Sequence, residues 1–536
     1  MTRREAVASA ILVFAIALAV RWVAASLVVF PVPEDTAYYV DVARNLVTGR
    51  GLITDSLWSF QTMPLIVPRA AFEVWLPLPT FAAAVPMLIL GPTFAAAQVS
   101  SVLVGALVPV LAWRLAADVA EERGLPPGRA RTLAIGTGVT AAVSLPLILH
   151  STLTDSTMPF AALTLAACLL MNRIRIAPNP RPTPLLILLG LTLGVAALTR
   201  NEAAWLGLGW ALVAWWLPIT RRDRIALIAV PGVIALAVFA PWMIRDWLAF
   251  GSPLPGQALT NALSINGTDI FAWSDPPTLS RYLAVGAGRL VEMRITGIGH
   301  NLLDVLLVPG APLSVIGLVA LPWMVRIRAL QPLVVVSAAI FLVTSLLFPV
   351  ATTWGTFLHA AGAVHVLLII SALLALDRLI VAIGRRRGWT RPVAWLAPAL
   401  TVSGALLFSA VILPSFGSQS ETALRRFTAL PARMAAAGLP LTGNGPVITD
   451  APIWVPYSGG GTAIALPHES PASVLDLAHR FGAMTVVILD ATHPFRAAIE
   501  AGGGAAACFR PVTLPSSLVL SADGGDQARA YRVVCP

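Results

Sequence analysis

Residues 6–30 read AVASAILVFAIALAVRWVAASLVVF, an apolar run broken only by Arg21, closed by Pro31 and followed by the acidic pair Glu34 and Asp35. About 20 apolar residues in a helix match the hydrocarbon thickness of a bilayer. With Arg3 and Arg4 ahead of it, the run resembles a signal peptide, but Arg21 interrupts it and many further runs follow. It therefore reads as an uncleaved first span. Similar runs lie near 94–116, 131–149, 156–171, 185–200, 203–218, 225–247, 309–325, 332–350, 363–383 and 393–413, giving about eleven spans. The stretch 76–90 is shorter and contains Pro77, Pro79 and Pro86, so it reads as a re-entrant or interfacial helix.

The composition agrees. Of 536 residues, 57% are hydrophobic and 12% charged, against roughly 25% charged in soluble domains. A single soluble core is excluded, and the expected class is a mainly α, polytopic helical membrane protein. Residues 1–413 form the membrane domain with a first loop over 31–93, and residues 414–536 form a small α/β domain. In that tail, 447–449 and 485–489 read as buried strands around a helix at 472–481. Strands near 509–512 and 531–534 bring Cys508 and Cys535 close if they are neighbours, so one disulfide is expected if the tail lies outside the cytoplasm. Residues 458–461 read as a turn, and no phosphate-cradling loop pattern surrounds their glycines.

All 36 basic residues are arginine, and the net charge is +10. In a soluble chain this surplus would point to nucleic acid or an anionic surface. Here topology accounts for it, and no nucleic-acid partner is expected. With the N-terminus cytoplasmic, nineteen arginines fall in inside segments, from Arg3 and Arg4 to Arg385, Arg386, Arg387 and Arg391. Six acids accompany them, so those segments carry about +13, as short cytoplasmic loops do. The loops 31–93, 150–155, 248–308 and 351–362, and the tail, are thereby assigned to the extracytoplasmic face. The all-arginine, alanine-rich usage suggests a bacterial plasma (inner) membrane from a GC-rich genome.

Charges outside the inside loops are costly, at roughly 2.5–3.5 kcal/mol each at a span centre, and mark functional positions. They gather at one face: Glu34, Asp35 and Asp41; Asp155; Arg200 and Glu202; Arg245 and Asp246; His359 and His365. Tyr38, Val42 and Leu46 recur at four-residue spacing, which predicts an interfacial helix stopped at Gly49. Plainer readings stand beside these. Glu34 and Asp35 suit a helix N-terminus, Arg200 and Arg245 suit snorkelling span ends, His359 suits a structural hydrogen bond, and His150 with Asp155 suits a solvated loop pair. Trp58, Trp75, Trp242, Trp247 and Trp354 suit an interfacial aromatic belt, with lining of a binding pocket left open for one or two of them.

Glu34-Asp35 followed by Tyr38-Tyr39 and by Val42-Ala43-Arg44-Asn45-Leu46 resembles the first-loop motif of the GT-C superfamily of integral-membrane glycosyltransferases, which includes aminoarabinose transferases and protein O-mannosyltransferases. The resemblance continues in Leu198-Thr199-Arg200-Asn201-Glu202, in Ala240-Pro241-Trp242-Met243-Ile244-Arg245-Asp246 and in Phe250-Gly251-Ser252-Pro253, and covers most of residues 1–415. It implies transfer of a sugar from a polyprenyl-phosphate carrier to a glycan, lipid or protein acceptor on the outer face, usually with inversion. Asp35 is implied as the catalytic carboxylate, with Glu34 the neighbouring candidate. Arg200, Arg245, His359 and Glu202 are implied near the donor phosphate, and Asp155 at the family's second acidic position. Asp155 with Glu34 and Asp35 offers oxygen ligands for a divalent cation, Mg or Mn. With no Asp-x-Asp pair in the first loop, no metal ligand is assigned and no cofactor is expected with certainty. The rival class is a secondary transporter or lipid flippase, which would place charges near the bilayer midplane in paired repeats. A non-catalytic envelope assembly or receptor protein is the third reading.

Overall fold

The computed structural model describes residues 2–255, 257–389, 393–515 and 528–535. Arg391, counted above among the cytoplasmic arginines, lies outside the described residues. The chain is a multi-pass membrane protein. Its helices run α1 (Arg3–Leu27), α2 (Glu34–Val47), α3 (Leu78–Leu90), α4 (Phe94–Glu122), α5 (Pro127–Val143), α6 (Leu145–Thr152), α7 (Thr157–Ile176), α8 (Thr183–Ala197), α9 (Ala203–Trp215), α10 (Arg221–Phe250), α11 (Gln257–Leu263), α12 (Leu279–Ala284), α13 (Gly286–Leu307), α14 (Leu313–Met324), α15 (Gln331–Leu346), α16 (Thr356–Ala360), α17 (Gly362–Arg386) and α18 (Leu396–Ala436). Ten of the eleven apolar runs each fall on one helix, and the run 131–149 is divided between α5 and α6. Among the described residues, seven helical segments are long and apolar enough to cross a membrane, or eight if the bent pair α5 and α6 counts as one span. α3, at 13 residues, extends only about 20 Å, too short for a crossing.

Local chemistry explains the elements that carry the site. α1 starts in a capping box: Glu5 N–H donates to Thr2 Oγ1 at 3.3 Å, and Thr2 N–H donates to Glu5 Oε2 at 2.8 Å. Arg21, fully buried in α1, serves the 51° bend between α5 and α6. Its guanidinium donates to Ser151 Oγ at 2.9 Å and to the carbonyls of Ala142 at 3.1 Å and Leu147 at 3.4 Å. A broken span frees backbone carbonyls that lipid cannot satisfy. Gly105 lets α4 approach this bend, because a Cβ there would lie 2.1 Å from Ser151 Oγ. Gln98 then ties α4 to the ends of α1 and α6, donating to Val28 O at 3.0 Å and Thr152 O at 2.9 Å.

α2 is not a half-exposed interfacial helix. Residues Thr36 to Ala43 are all buried, because the first loop folds over one side and the C-terminal region covers the other. Phe72 N–H donates to Tyr38 Oη at 2.6 Å, and Arg44 donates to Tyr457 O at 2.9 Å with its guanidinium 4.3 Å from the Tyr457 ring.

The tail adds α19 (Trp454–Gly459), α20 (Pro471–Phe481) and α21 (Pro494–Glu500). The strands are β1 (Ile53–Thr54), β2 (Ser56–Leu57), β3 (Arg69–Ala70), β4 (Val447–Thr449), β5 (Ala463–Ala465), β6 (Thr485–Ile488), β7 (Phe509–Val512) and β8 (Arg529–Val533). They form a six-stranded sheet in the order β2-β5-β4-β6-β8-β7 and a separate β1-β3 pair. β2, β5, β4 and β6 are parallel neighbours, while β8 is antiparallel to β6 and β7 antiparallel to β8. The register Phe509↔Val533 brings Cys508 and Cys535 together, and they form a disulfide with Cα atoms 5.0 Å apart.

Four features depart from the sequence reading. α18 continues unbroken through 413/414 to Ala436, and β2 sews the first loop into the C-terminal sheet by pairing with β5. Residues 248–308, read as a loop, contain the 22-residue helix α13. Its ionisable residues hid it as an apolar run, but the helix pairs them: Arg289 with Glu292 at 2.9 Å and His300 with Asp304 at 3.6 Å. Ser458 and Gly459 belong to α19 rather than to a turn; the turn starts at Gly460.

Candidate active site

Four segments far apart in sequence meet beneath the C-terminal sheet. Asp35 stands in the first turn of α2, behind the N-cap Pro33, which has no side-chain cap bond but whose carbonyl accepts from Ala37 N–H at 3.2 Å. Its Oδ1 accepts from Thr36 N–H at 2.9 Å, and its Oδ2 lies 3.3 Å from His359 Nε2. His359 is carried by α16, which starts at Gly355 with φ +98°, a conformation that favours glycine. The other ring nitrogen of His359 lies 3.0 Å from Thr157 Oγ1 and 3.6 Å from Asp155 Oδ2. Asp155 Oδ2 also pairs with His150 Nδ1 at 2.7 Å, while its Oδ1 accepts from Thr157 N–H at 2.8 Å. The result is an alternating row, Asp35, His359, Asp155, His150.

Electrostatics follow from that order. Burial works against ionisation of Asp155, but His150 and His359 override it and hold its carboxyl well below the usual carboxylate range. Burial likewise opposes protonation of His359, yet Asp35 and then Asp155 raise its pKa above the ordinary imidazole value. The solvated-pair reading of His150 and Asp155 is therefore corrected: they are 6% and 1% exposed and bonded to each other.

Arg200 comes from the turn between α8 and α9, pinned by Leu78 N–H donating to Leu198 O at 3.0 Å. Its guanidinium makes a bidentate pair with Glu202 at 3.0 and 2.7 Å and donates to Ser156 Oγ at 2.8 Å. Glu202 thus acts as the counter-ion of Arg200. Glu34 points the other way from Asp35, and its Oε1 accepts from Ile453 N–H at 3.4 Å in the tail. Burial, reinforced by Asp450 and Asp35, pushes its carboxyl up to about 8. The two adjacent acids are thereby separated, one on a histidine and one on the C-terminal region.

Glu34, Asp35, Arg200, Glu202 and His359 all line one cavity of about 640 Å³, together with Tyr39, Ser156, Trp205, Asp450 and Trp454. That volume is within the range of small-molecule sites. Asp155 sits just behind His359. Arg245 does not line the cavity; it pairs with Asp246 at 2.9 Å and stacks over Trp242 at 4.8 Å. His365 is buried in α17 and also stands outside the lining. Trp58 and Trp75 are not belt residues. Their rings lie 4.8 Å apart in a cluster that walls the cavity, with Tyr38 4.3 Å from Trp75. Trp242 is buried, Trp247 is exposed, and Trp354, though exposed, also lines the cavity.

Asp450 and Trp454 were not foreseen. A signal existed, since Asp450 directly follows β4, and open parallel sheets present ligand groups at the carboxyl ends of their strands. Three residues, His150, Asp155 and His359, hold ligand atoms within 4.8 Å of one another and so can hold a metal ion. Two imidazoles and one carboxylate suit zinc or a similar transition metal better than the Mg or Mn expected from an all-oxygen set.

Because Glu34 binds its proton more tightly in the folded chain than at its ordinary value of 4.5, native stability falls as pH rises from about 4.5 to about 8 and levels above that. Glu34→Gln has no proton to lose. Its thermal midpoint in detergent is expected to match wild type near pH 5 and exceed it increasingly towards pH 8; a gap independent of pH would contradict this placement of Glu34.

No family model matches the chain, and no curated protein matches it. Solved structures do. ArnT from Cupriavidus metallidurans in the apo state superposes with a TM-score of 0.56 at 14% identity, covering 98% of this chain and 97% of that one. The same protein bound to undecaprenyl phosphate gives 0.55 at 14% identity, with 98% of each chain covered. The archaeal oligosaccharyltransferase AglB from Archaeoglobus fulgidus, in complex with an inhibitory peptide and a dolichol-phosphate, gives 0.52 at 12% identity over 89% of this chain and 69% of that one. At 12–14% identity the likeness establishes a shared fold.

Proposed function

We propose that this chain, with its GT-C fold, is a glycosyltransferase that moves a sugar from a polyprenyl-phosphate carrier to an acceptor hydroxyl on the extracytoplasmic face of a bacterial plasma membrane, with inversion. One observation carries the reading: Asp35, Arg200 and His359, from three distant segments, border a single cavity. The Cys508–Cys535 disulfide supports an oxidising compartment for that face.

In this reading Asp35 takes the acceptor proton as the hydroxyl attacks the anomeric carbon, and no covalent sugar intermediate forms. His359 fixes the Asp35 carboxylate from 3.3 Å and is itself held by Asp155 and Thr157. Arg200 faces the phosphate that departs with the lipid and offsets its growing charge. The tail, which supplies Asp450 and Trp454 to the wall, contributes to acceptor selection. Asp35 rather than Glu34 is the base, because Glu34 is held largely protonated near neutral pH.

The donor set His150, Asp155 and His359 favours a second reading in which a divalent metal sits beside the cavity. Bound there, the metal would supply Lewis-acid stabilisation of phosphate oxygens. Metal analysis of the purified protein and thermal midpoints before and after chelation decide between the readings.

The donor test is direct. Purified protein is heated with a panel of polyprenyl-phosphate sugars. The matching donor at 100 times its dissociation constant should stabilise by about 2.7 kcal/mol and be consumed when acceptor is added. Stabilisation without any sugar release would favour the flippase or transporter class.

A further inference from the structure

The helical bundle carries a second cavity at its other end. α17 starts three residues after His359 and runs for 25 residues, about 37 Å. Around its far end Arg123, Arg129, Arg378, Arg385, Asp377 and Leu374 line a concavity of about 270 Å³. Arg129 is neutralised by Asp377, donating at 3.2 and 2.5 Å. Arg123, Arg378 and Arg385 make no ion pair or side-chain hydrogen bond among the described residues. Four guanidinium groups therefore face one small space that holds a single carboxylate, Asp377, already engaged by Arg129. Burial, with Arg378 and Arg129 adding to it and Asp377 and Glu122 opposing, lowers the Arg123 pKa below its ordinary value, as expected where positive charge is in excess.

The topological charge bias accounts for arginines at this face. It does not account for three of them lining one cavity unpaired, since Arg386 and Arg387, at the same end of α17, stand outside it. We propose that this cavity is an anion site that takes a phosphate ester. Guanidinium groups match phosphate oxygens in geometry and charge. The exposed Leu379 and Ile383 on α17 offer apolar surface beside it, so the headgroup of an anionic membrane lipid fits, as does a free phosphate.

The test uses the full-length protein in neutral detergent, titrated with fluorescent phosphatidylglycerol and competed with inorganic phosphate. Arg378→Gln/Arg385→Gln is expected to weaken lipid binding about 30-fold. Arg386→Gln/Arg387→Gln removes the same charge from the same helix end and should change it little. Arg378→Lys/Arg385→Lys, which keeps the charge but not the planar fork, should recover part of the loss and shows that the glutamine pair has not merely misfolded. Competition by inorganic phosphate would assign the site to phosphate itself, and lack of competition would assign it to a lipid headgroup with its chains. Equal weakening by the two glutamine pairs, or none by either, overturns the proposal. Neither result depends on glycosyl transfer.

Discussion

Asp35→Asn is expected to lower sugar transfer by about 10²–10⁴-fold, the range that a positioned general base supplies, while leaving the fold and donor binding intact. Asparagine keeps the volume and can still accept from Thr36 N–H through the position of Oδ1, now at 2.9 Å. It removes the basic oxygen that faces His359 at 3.3 Å. The loss should therefore appear in turnover rather than in donor affinity, and should persist at high acceptor concentration. Single-turnover transfer from the donor identified by thermal stabilisation is the measurement. Near-wild-type turnover would remove Asp35 from the role, whereas a comparable loss in Glu34→Gln alone would transfer it to Glu34.

Arg200→Gln is expected to harm both stability and catalysis, and a paired substitution separates the two. Removing Arg200 strands Glu202, which is 6% exposed, and breaking a buried pair by deleting one partner costs about 3–5 kcal/mol. Arg200→Gln/Glu202→Gln removes both charges, so its thermal midpoint should return towards wild type. Its turnover should stay about 10²–10³-fold down, as when one stabilising donor is lost from a transition-state site. Recovery of both would mean that Arg200 is structural, a snorkelling arginine with a local partner. Loss of stability in both variants would point instead to its bonds with Ser156 and Thr356.

The site was partly legible before any coordinates. Asp35 follows directly on a span, and Arg200 and His359 follow or precede others, so their place at one face could be read from span ends. Sequence left Glu34 and Asp35 interchangeable. The structure separates them, because successive residues in the first turn of a helix point in different directions: Asp35 meets His359, and Glu34 meets Ile453 and Asp450. Arg245 was read with Arg200 since both end spans, but its helix turns it onto Asp246 and Trp242.

What the sequence determined by itself was the membrane class, the positions of the apolar helices and four of the five strands of the tail, β5 being missed. Hydrocarbon thickness and the need to satisfy every backbone group act on each contiguous segment alone, so hydropathy and turn residues suffice. What only the tertiary structure decided was which segments meet. Arg21 finds the carbonyls of a bend more than 120 residues away. β2 finds β5 some 400 residues on, and His150, Asp155 and His359 close into a triad. Those contacts are set by packing between spans and by edge pairing in the sheet, and no periodicity within one segment records them.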